Sequence, residues 1–181
     1  MDMKVKFAVF AAFLMFMGSI SIAGVNDTGN ETATGEKSGF VIPMHFSFSL
    51  PSEYEKENFS VIDVGGADEA ISMPSRPSMP YKSEVLTFPL GTKIDGIEVS
   101  TGDVNTMHLD RKIIPASEPV RADMSNTVAE RKEGKIYLSN EPYPSNWVEW
   151  NTGAGLENGK HVVFLSIHAF PARYTPAANE L

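Results

Sequence analysis

Residues 160–170 constrain the chain more than any other segment. Val163, Leu165, Ile167 and Ala169 fall on one side of an extended backbone, and Val162, Phe164, His168 and Phe170 on the other. Side chains of a strand alternate between faces, so this pattern predicts a strand with both faces partly covered. A second alternation runs through residues 40–50. Phe40, Ile42, Met44, Phe46, Phe48 and Leu50 share one face, opposite Val41, Pro43, His45, Ser47 and Ser49. That is the pattern of a half-buried strand, with Pro43 marking an edge or a bulge because it has no N–H to give to a ladder. Shorter strands are predicted at residues 59–64, 84–89, 94–100, 105–114, 136–138 and 147–150. Glycine and proline fall between them, and no twelve-residue window beyond the N-terminal apolar run shows a helical period. The architecture that closes such a set is all-β: an antiparallel β-sandwich, jelly-roll-like, spanning residues 40–181. No internal repeat is visible.

The N-terminus has a different character. Lys4 and Lys6 give a short basic start, residues 7–17 are an unbroken apolar run, and Ser21-Ile22-Ala23 precedes Gly24. This is the layout of a secretory signal peptide over residues 1–23, which predicts a secreted or cell-surface protein with no membrane contact after cleavage. Residues 24–39 hold Asn, Thr, Gly and Glu with almost nothing apolar, which reads as a flexible linker. The sequons at Asn26, Asn30 and Asn58 are weak by themselves.

Charge and cysteine content narrow the function classes. The full chain carries 15 basic and 23 acidic residues, a net charge of −8. Removing residues 1–23 takes away Lys4, Lys6 and Asp2, leaving 13 basic and 22 acidic, or −9. This argues against nucleic acid, whose phosphates need clustered Lys and Arg. The chain has no cysteine. It therefore carries neither disulfides nor thiolate chemistry, and its core alone must hold an exported domain of about 158 residues together.

Motifs that would carry chemistry fail on context. Asp27-Thr28-Gly29 spells an aspartic-protease triplet, but that chemistry needs two aspartates across a cleft. Gly153-Ala154-Gly155 with Gly159 precedes a strand, not the helix that a dinucleotide loop must open, and so predicts a tight turn between strands. His161 and His168 are seven apart on one predicted strand and point to opposite faces, and no other histidine spacing converges on a metal. Asp63, Asp68 and Glu69 have oxygen ligands for calcium but not the spacing of a dedicated loop. Trp147 and Trp150, three apart in an extended segment, are expected to face opposite sides. No cofactor, no metal and no catalytic residue is expected.

Two segments carry a family likeness. In the first, Pro77-Ser78-Met79-Pro80 is followed by a strand, by Pro89-Leu90-Gly91 and by a second strand. In the second, Tyr143-Pro144 leads through Gly153, Gly155 and Gly159 to a strand that ends at Pro171, with Tyr174-Thr175-Pro176 beyond. Together they resemble the propeptide domain of gingipain-type secreted cysteine peptidases over most of residues 40–176. The resemblance implies a β-sandwich that assists folding of the catalytic domain and keeps it latent, with that domain as partner in cis or in trans. The His-Cys dyad of the catalytic domain has no counterpart here, so the chain is not itself the peptidase. The alternative is a stand-alone extracellular β-sandwich that binds a partner. Residues 115–134 form the longest stretch without a period, and long unpatterned loops in a compact domain are often functional. They contain Arg121, Arg131 and Lys132, the candidates for a basic side chain that would enter a specificity pocket.

Overall fold

Glycine, proline and asparagine cut the chain into short extended runs, and the structure assembles these into two facing sheets. A computed structural model describes residues 3–13, 39–120 and 129–181. The cleavage position after Ala23, the linker, the sequons at Asn26 and Asn30, the Asp27 triplet and Arg121 lie outside the described residues. The strands are β1 (Met3–Phe13), β2 (Gly39–Phe48), β3 (Ser52–Lys56), β4 (Phe59–Asp63), β5 (Glu69–Ala70), β6 (Pro80–Pro89), β7 (Thr92–Ser100), β8 (Val148–Glu157) and β9 (Lys160–Ala169). All strand pairings between them are antiparallel. One sheet has the order β2-β1-β7, the other β5-β6-β9-β8, and β3-β4 is a separate hairpin. The all-β sandwich expectation holds.

The core lies between the sheets. Phe46 and Phe48 of β2 meet Phe88 of β6 and Leu165, Ile167 and Ala169 of β9, with Met79, Leu109, Ile113, Tyr137 and Tyr174 closing the layer. Burial along β2 alternates as its sequence does: Ile42 and Met44 are half-buried and Phe46 and Phe48 buried, while Val41, Pro43, His45 and Ser47 are exposed. β9 is central in its sheet, and Leu165 and Ile167 are fully buried.

The segment read as an export signal supplies β1. It pairs with β2 from Met3↔Phe48 to Ala12↔Gly39 and with β7 from Lys6↔Ser100 to Phe13↔Thr92. β2 and β7 thus meet only through β1.

Four local readings are corrected. Residues 105–114 are not a strand: Met107 to Ile114 run as an irregular segment with single bridges at His108 and Ile113, its alternation reflecting the burial of Leu109 and Ile113. Residues 136–138 belong to a 3-10 turn, Lys135–Leu138, held where the buried Tyr137 hydroxyl donates to the Ile113 carbonyl at 2.8 Å. Gly153 and Gly155 do not turn the chain; they sit inside β8 opposite Phe164 and Val162. A Cβ on Gly155 would come within 2.7 Å of the Phe164 ring, so this glycine makes room for an aromatic neighbour. The turn falls instead at Asn158-Gly159, both at positive φ. Finally, β3 was not expected. Its residues are all exposed and polar except Tyr54, so no periodicity announces it.

Candidate functional site

Residues 115–134 leave the sandwich as an excursion with a built base. Ile113, Ile114, Pro115 and Ala116 are buried, and the proline-rich crossing segment lies alongside them. Pro77 bridges Pro115, the Ser78 N–H donates to the Ile114 carbonyl, and the Ala116 N–H donates to Arg76. The returning strand of the excursion is gripped from the same side. The Gly134 N–H donates to the Ser75 carbonyl at 2.9 Å, and a Cβ on Gly134 would stand 2.5 Å from that oxygen. Only a residue without a side chain fits there.

The outgoing and returning arms are also tied to each other. Ser117 bridges Arg131, and the Glu118 N–H donates to the Glu130 carbonyl at 2.8 Å. The excursion therefore closes at 117–118 and 130–131.

The three basic candidates separate by position. Arg131 is a brace: its Nη1 donates to the Pro115 carbonyl at 2.7 Å, and its Nε lies 3.2 Å from Glu57 Oε2 of the β3-β4 turn. Lys132 is exposed and pairs with Glu130 at 2.9 Å, which raises its pKa. Arg121 lies outside the described residues. Further ties fix the base. Lys112 pairs with Glu133 at 2.5 Å, Arg111 with Glu55 at 3.0 Å, and Ser75 donates to Glu118 at 3.2 Å. Ser60 donates to Glu53 in a short hydrogen bond within the β3-β4 hairpin.

The residues of the two family-like segments converge around this base and behind it. Pro77 and Pro80 are buried, Pro80 and Pro89 bound β6, and Gly91, at φ 94°, turns the chain into β7. Tyr143 pairs with Tyr174 through mutual backbone hydrogen bonds of 2.7 Å, next to the cis bond between Tyr143 and Pro144. The Arg76 guanidinium lies 5.7 Å from the Tyr143 ring and joins the first segment to the second. Pro144, Pro171 and Pro176 are buried, as is Tyr174, whose hydroxyl donates to Asn179 Oδ1 at 2.7 Å. Burial raises the pKa of Tyr137, and raises that of Tyr174 to about 12. Gly153, Gly155 and Gly159 are not at the base; they belong to β8 and its turn.

The acidic triplet does not assemble. Asp68 pairs with Lys82 at 2.6 Å, and this hydrogen bond lowers its pKa. Glu69 accepts from the Tyr81 hydroxyl at 2.5 Å. Among the described residues, no group of His, Asp and Glu side chains is placed to hold a metal ion.

The tryptophans depart from expectation in a way that sequence spacing concealed. β8 begins at Val148, so Trp147 precedes the strand, and both Trp147 and Trp150 line one cavity between β7 and β8.

No family model matches the chain, and no curated protein sequence matches it. Its fold does match solved structures. One is a chain in the complex of Porphyromonas gingivalis RgpB pro- and mature domains, with TM-score 0.50 and 11% identity over 74% of this chain and 69% of that one. Another is a chain from the study of zymogenic latency of gingipain K from Porphyromonas gingivalis, with TM-score 0.50 and 14% identity over 72% of each chain. The chain shares its fold with these gingipain structures.

Proposed function

We propose that this chain is the propeptide domain of a secreted gingipain-type cysteine endopeptidase, a folding assistant that also holds the enzyme latent. The observation that carries this reading is the braced excursion, standing on a fold shared with gingipain structures that include pro-domains. An inhibitory segment must reach a cleft without being cut loose. A base closed by backbone pairing and by Arg131, with the basic Arg121 in the sequence between its two arms, suits that task. A bound segment already held in place loses less conformational freedom on docking. Arg131 braces the base and Lys132 is taken up by Glu130, which favours Arg121 as the side chain for the specificity pocket. The chain has no thiol, so its part in proteolysis is non-catalytic. Export would remove residues 1–23 and with them β1, and N-terminal sequencing of exported protein is to begin at Gly24.

The test is inhibition of a purified gingipain-type peptidase. The chain is expected to inhibit it, excision of residues 119–129 to abolish inhibition, and Arg121→Ala to weaken it markedly with folding intact. An excised variant that inhibits as well as the parent removes the excursion from the mechanism. Absence of binding to any such peptidase leaves the second reading, an extracellular binding module. The open cavity beside β8 favours that reading.

A further inference from the structure

β7 and β8 are each the last strand of their sheet, and the two open edges flank a cavity of about 450 Å³. Its walls are Ile97, Val99 and Thr101 on one side and Val148 and Trp150 on the other, with Trp147 and Arg173 between them. Trp150 stands opposite Ile167 and so projects toward the other sheet, yet it remains 43% exposed. From Glu149 to Ala154 every residue of β8 is exposed. The strand is ten residues long and carries neither lysine nor proline; its charged residues are Glu149 and Glu157, with none from Trp150 to Leu156, so the stretch beside the cavity is unguarded.

The cavity also has a sign. Arg173 is its one charged residue, since its remaining lining is apolar, aromatic or neutral. The guanidinium lies 4.7 Å from the Trp147 ring and donates through Nη1 to the Ser145 carbonyl at 2.8 Å. Its Nε is buried and has no hydrogen-bond partner among the described residues. Arg173 as a whole is half-buried and lines the cavity, so its guanidinium can meet a carboxylate there, and such charge-assisted bonds are the strong ones.

We infer that the β7–β8 opening is a docking site for an extended, acidic segment of a partner polypeptide, which adds to the free edge of β8 and places a carboxylate against Arg173. Main-chain hydrogen bonds to β8 would give affinity, and the cavity would select the side chains that alternate inward. This surface is separate from the excursion and does not depend on the partner's being a peptidase.

The chain carries its own reporter, because Trp147 and Trp150 are the only two tryptophans in the sequence and both line the cavity. The probe is a capped seven-residue peptide alternating threonine with valine, glutamate and valine, titrated into the full chain while tryptophan emission is read. A saturable change is expected. Replacing the glutamate by glutamine should weaken binding about tenfold or more, because hydrogen bonds to charged partners are the strong ones. Thr101→Glu, which puts a like charge in the cavity and leaves Arg173 in place, should do the same. Two N-methylated isomers of the peptide, blocked at alternate amides, separate strand addition from side-chain capture. Only one set of amides can face β8, so one isomer should lose binding and the other keep it. No emission change, equal binding of the glutamate and glutamine peptides, or equal binding of both methylated isomers would each overturn the inference.

Discussion

The two sheets are built on different terms. In the β5-β6-β9-β8 sheet the central strand is β9, which has a partner on each side and the fully buried Leu165, Ile167 and Ala169 on its inner face. In the β2-β1-β7 sheet the central strand comes from the N-terminal segment that reads as an export signal, and β2 and β7 are bonded to it and not to each other. The first sheet rests on side chains that only folding can bury. The second rests on a strand that export would withdraw. The excursion is tied to residues 75–78 and to the β3-β4 hairpin, through Pro77, Ser60 and Glu57, and Tyr143 and Tyr174 pair with each other beside Arg76. The comparison teaches that only the second sheet depends on β1 to join its other strands.

The largest effect is expected at the centre of the stable sheet. Leu165→Ala deletes a fully buried side chain from the middle of β9 and leaves a cavity, at a cost of about 2–5 kcal/mol in urea denaturation. A near-neutral result would mean that the core does not rest on β9, and the contrast between the sheets would fail.

Next comes the loss of β1 itself. Hydrogen exchange on a chain that begins at Gly24 should show β6 and β9 amides protected by the global unfolding free energy, with β2 and β7 amides opening sooner. Equal protection in both sheets would show that β2 and β7 have found new partners, and that the second sheet is as self-sufficient as the first.

Much of this contrast was legible in the sequence. β9 and β2 announce themselves because each side of the alternation has a distinct environment, and burial follows it residue by residue. β3 was invisible because a fully exposed hairpin strand has no apolar face to repeat. Residues 105–114 misled for the opposite reason: Leu109 and Ile113 are both buried two periods of alternation apart, but their backbone is held by single bridges and by the 179–181 segment, contacts too distant in sequence to predict. Gly153 and Gly155 read as turn residues because glycine favours turns, whereas Gly155 is required by the Phe164 ring across the ladder. At the candidate site, the length of the unpatterned stretch marked the excursion, but nothing local separated a brace from a probe. Arg131 acquires its role from Glu57 and the Pro115 carbonyl.

The layer behind the β9 sheet should respond to alkali. Burial raises the pKa of Tyr174 to about 12 and that of Tyr137 as well, against an ordinary value near 10. Between pH 10 and about 12 the unfolded chain has lost the Tyr174 proton while the folded chain keeps it, so the folded state binds more protons and stability falls as pH rises. The stabilisation is complete below pH 10 and is lost as pH climbs through the folded value, with a slope on the order of 1 kcal/mol per pH unit for each such tyrosine. Denaturation midpoints followed through this window, with tyrosinate absorbance as the marker, should show the steepening, and Tyr174→Phe should reduce it. An unchanged slope in that variant would place the titrating groups elsewhere.

The smallest effect separates Arg131 from Lys132. Arg131 is part-buried and holds two partners on different segments, Glu57 at the β3-β4 turn and the Pro115 carbonyl at the start of the excursion. Arg131→Ala removes both ties and leaves that carbonyl without its side-chain donor, which should cost about 1 kcal/mol. Lys132 pairs with its neighbour-but-one Glu130 on an exposed surface, where solvent screens the pair and little stability comes from it. Global stability barely distinguishes the two variants, but limited proteolysis should. Cleavage within residues 119–129 should accelerate in Arg131→Ala and stay at the parent rate in Lys132→Ala, because only the first loosens the closure at 117–118 and 130–131. If both variants are cut at the parent rate, backbone pairing alone holds the base. If both are cut faster, the two basic residues share the brace, and the contrast between them fails.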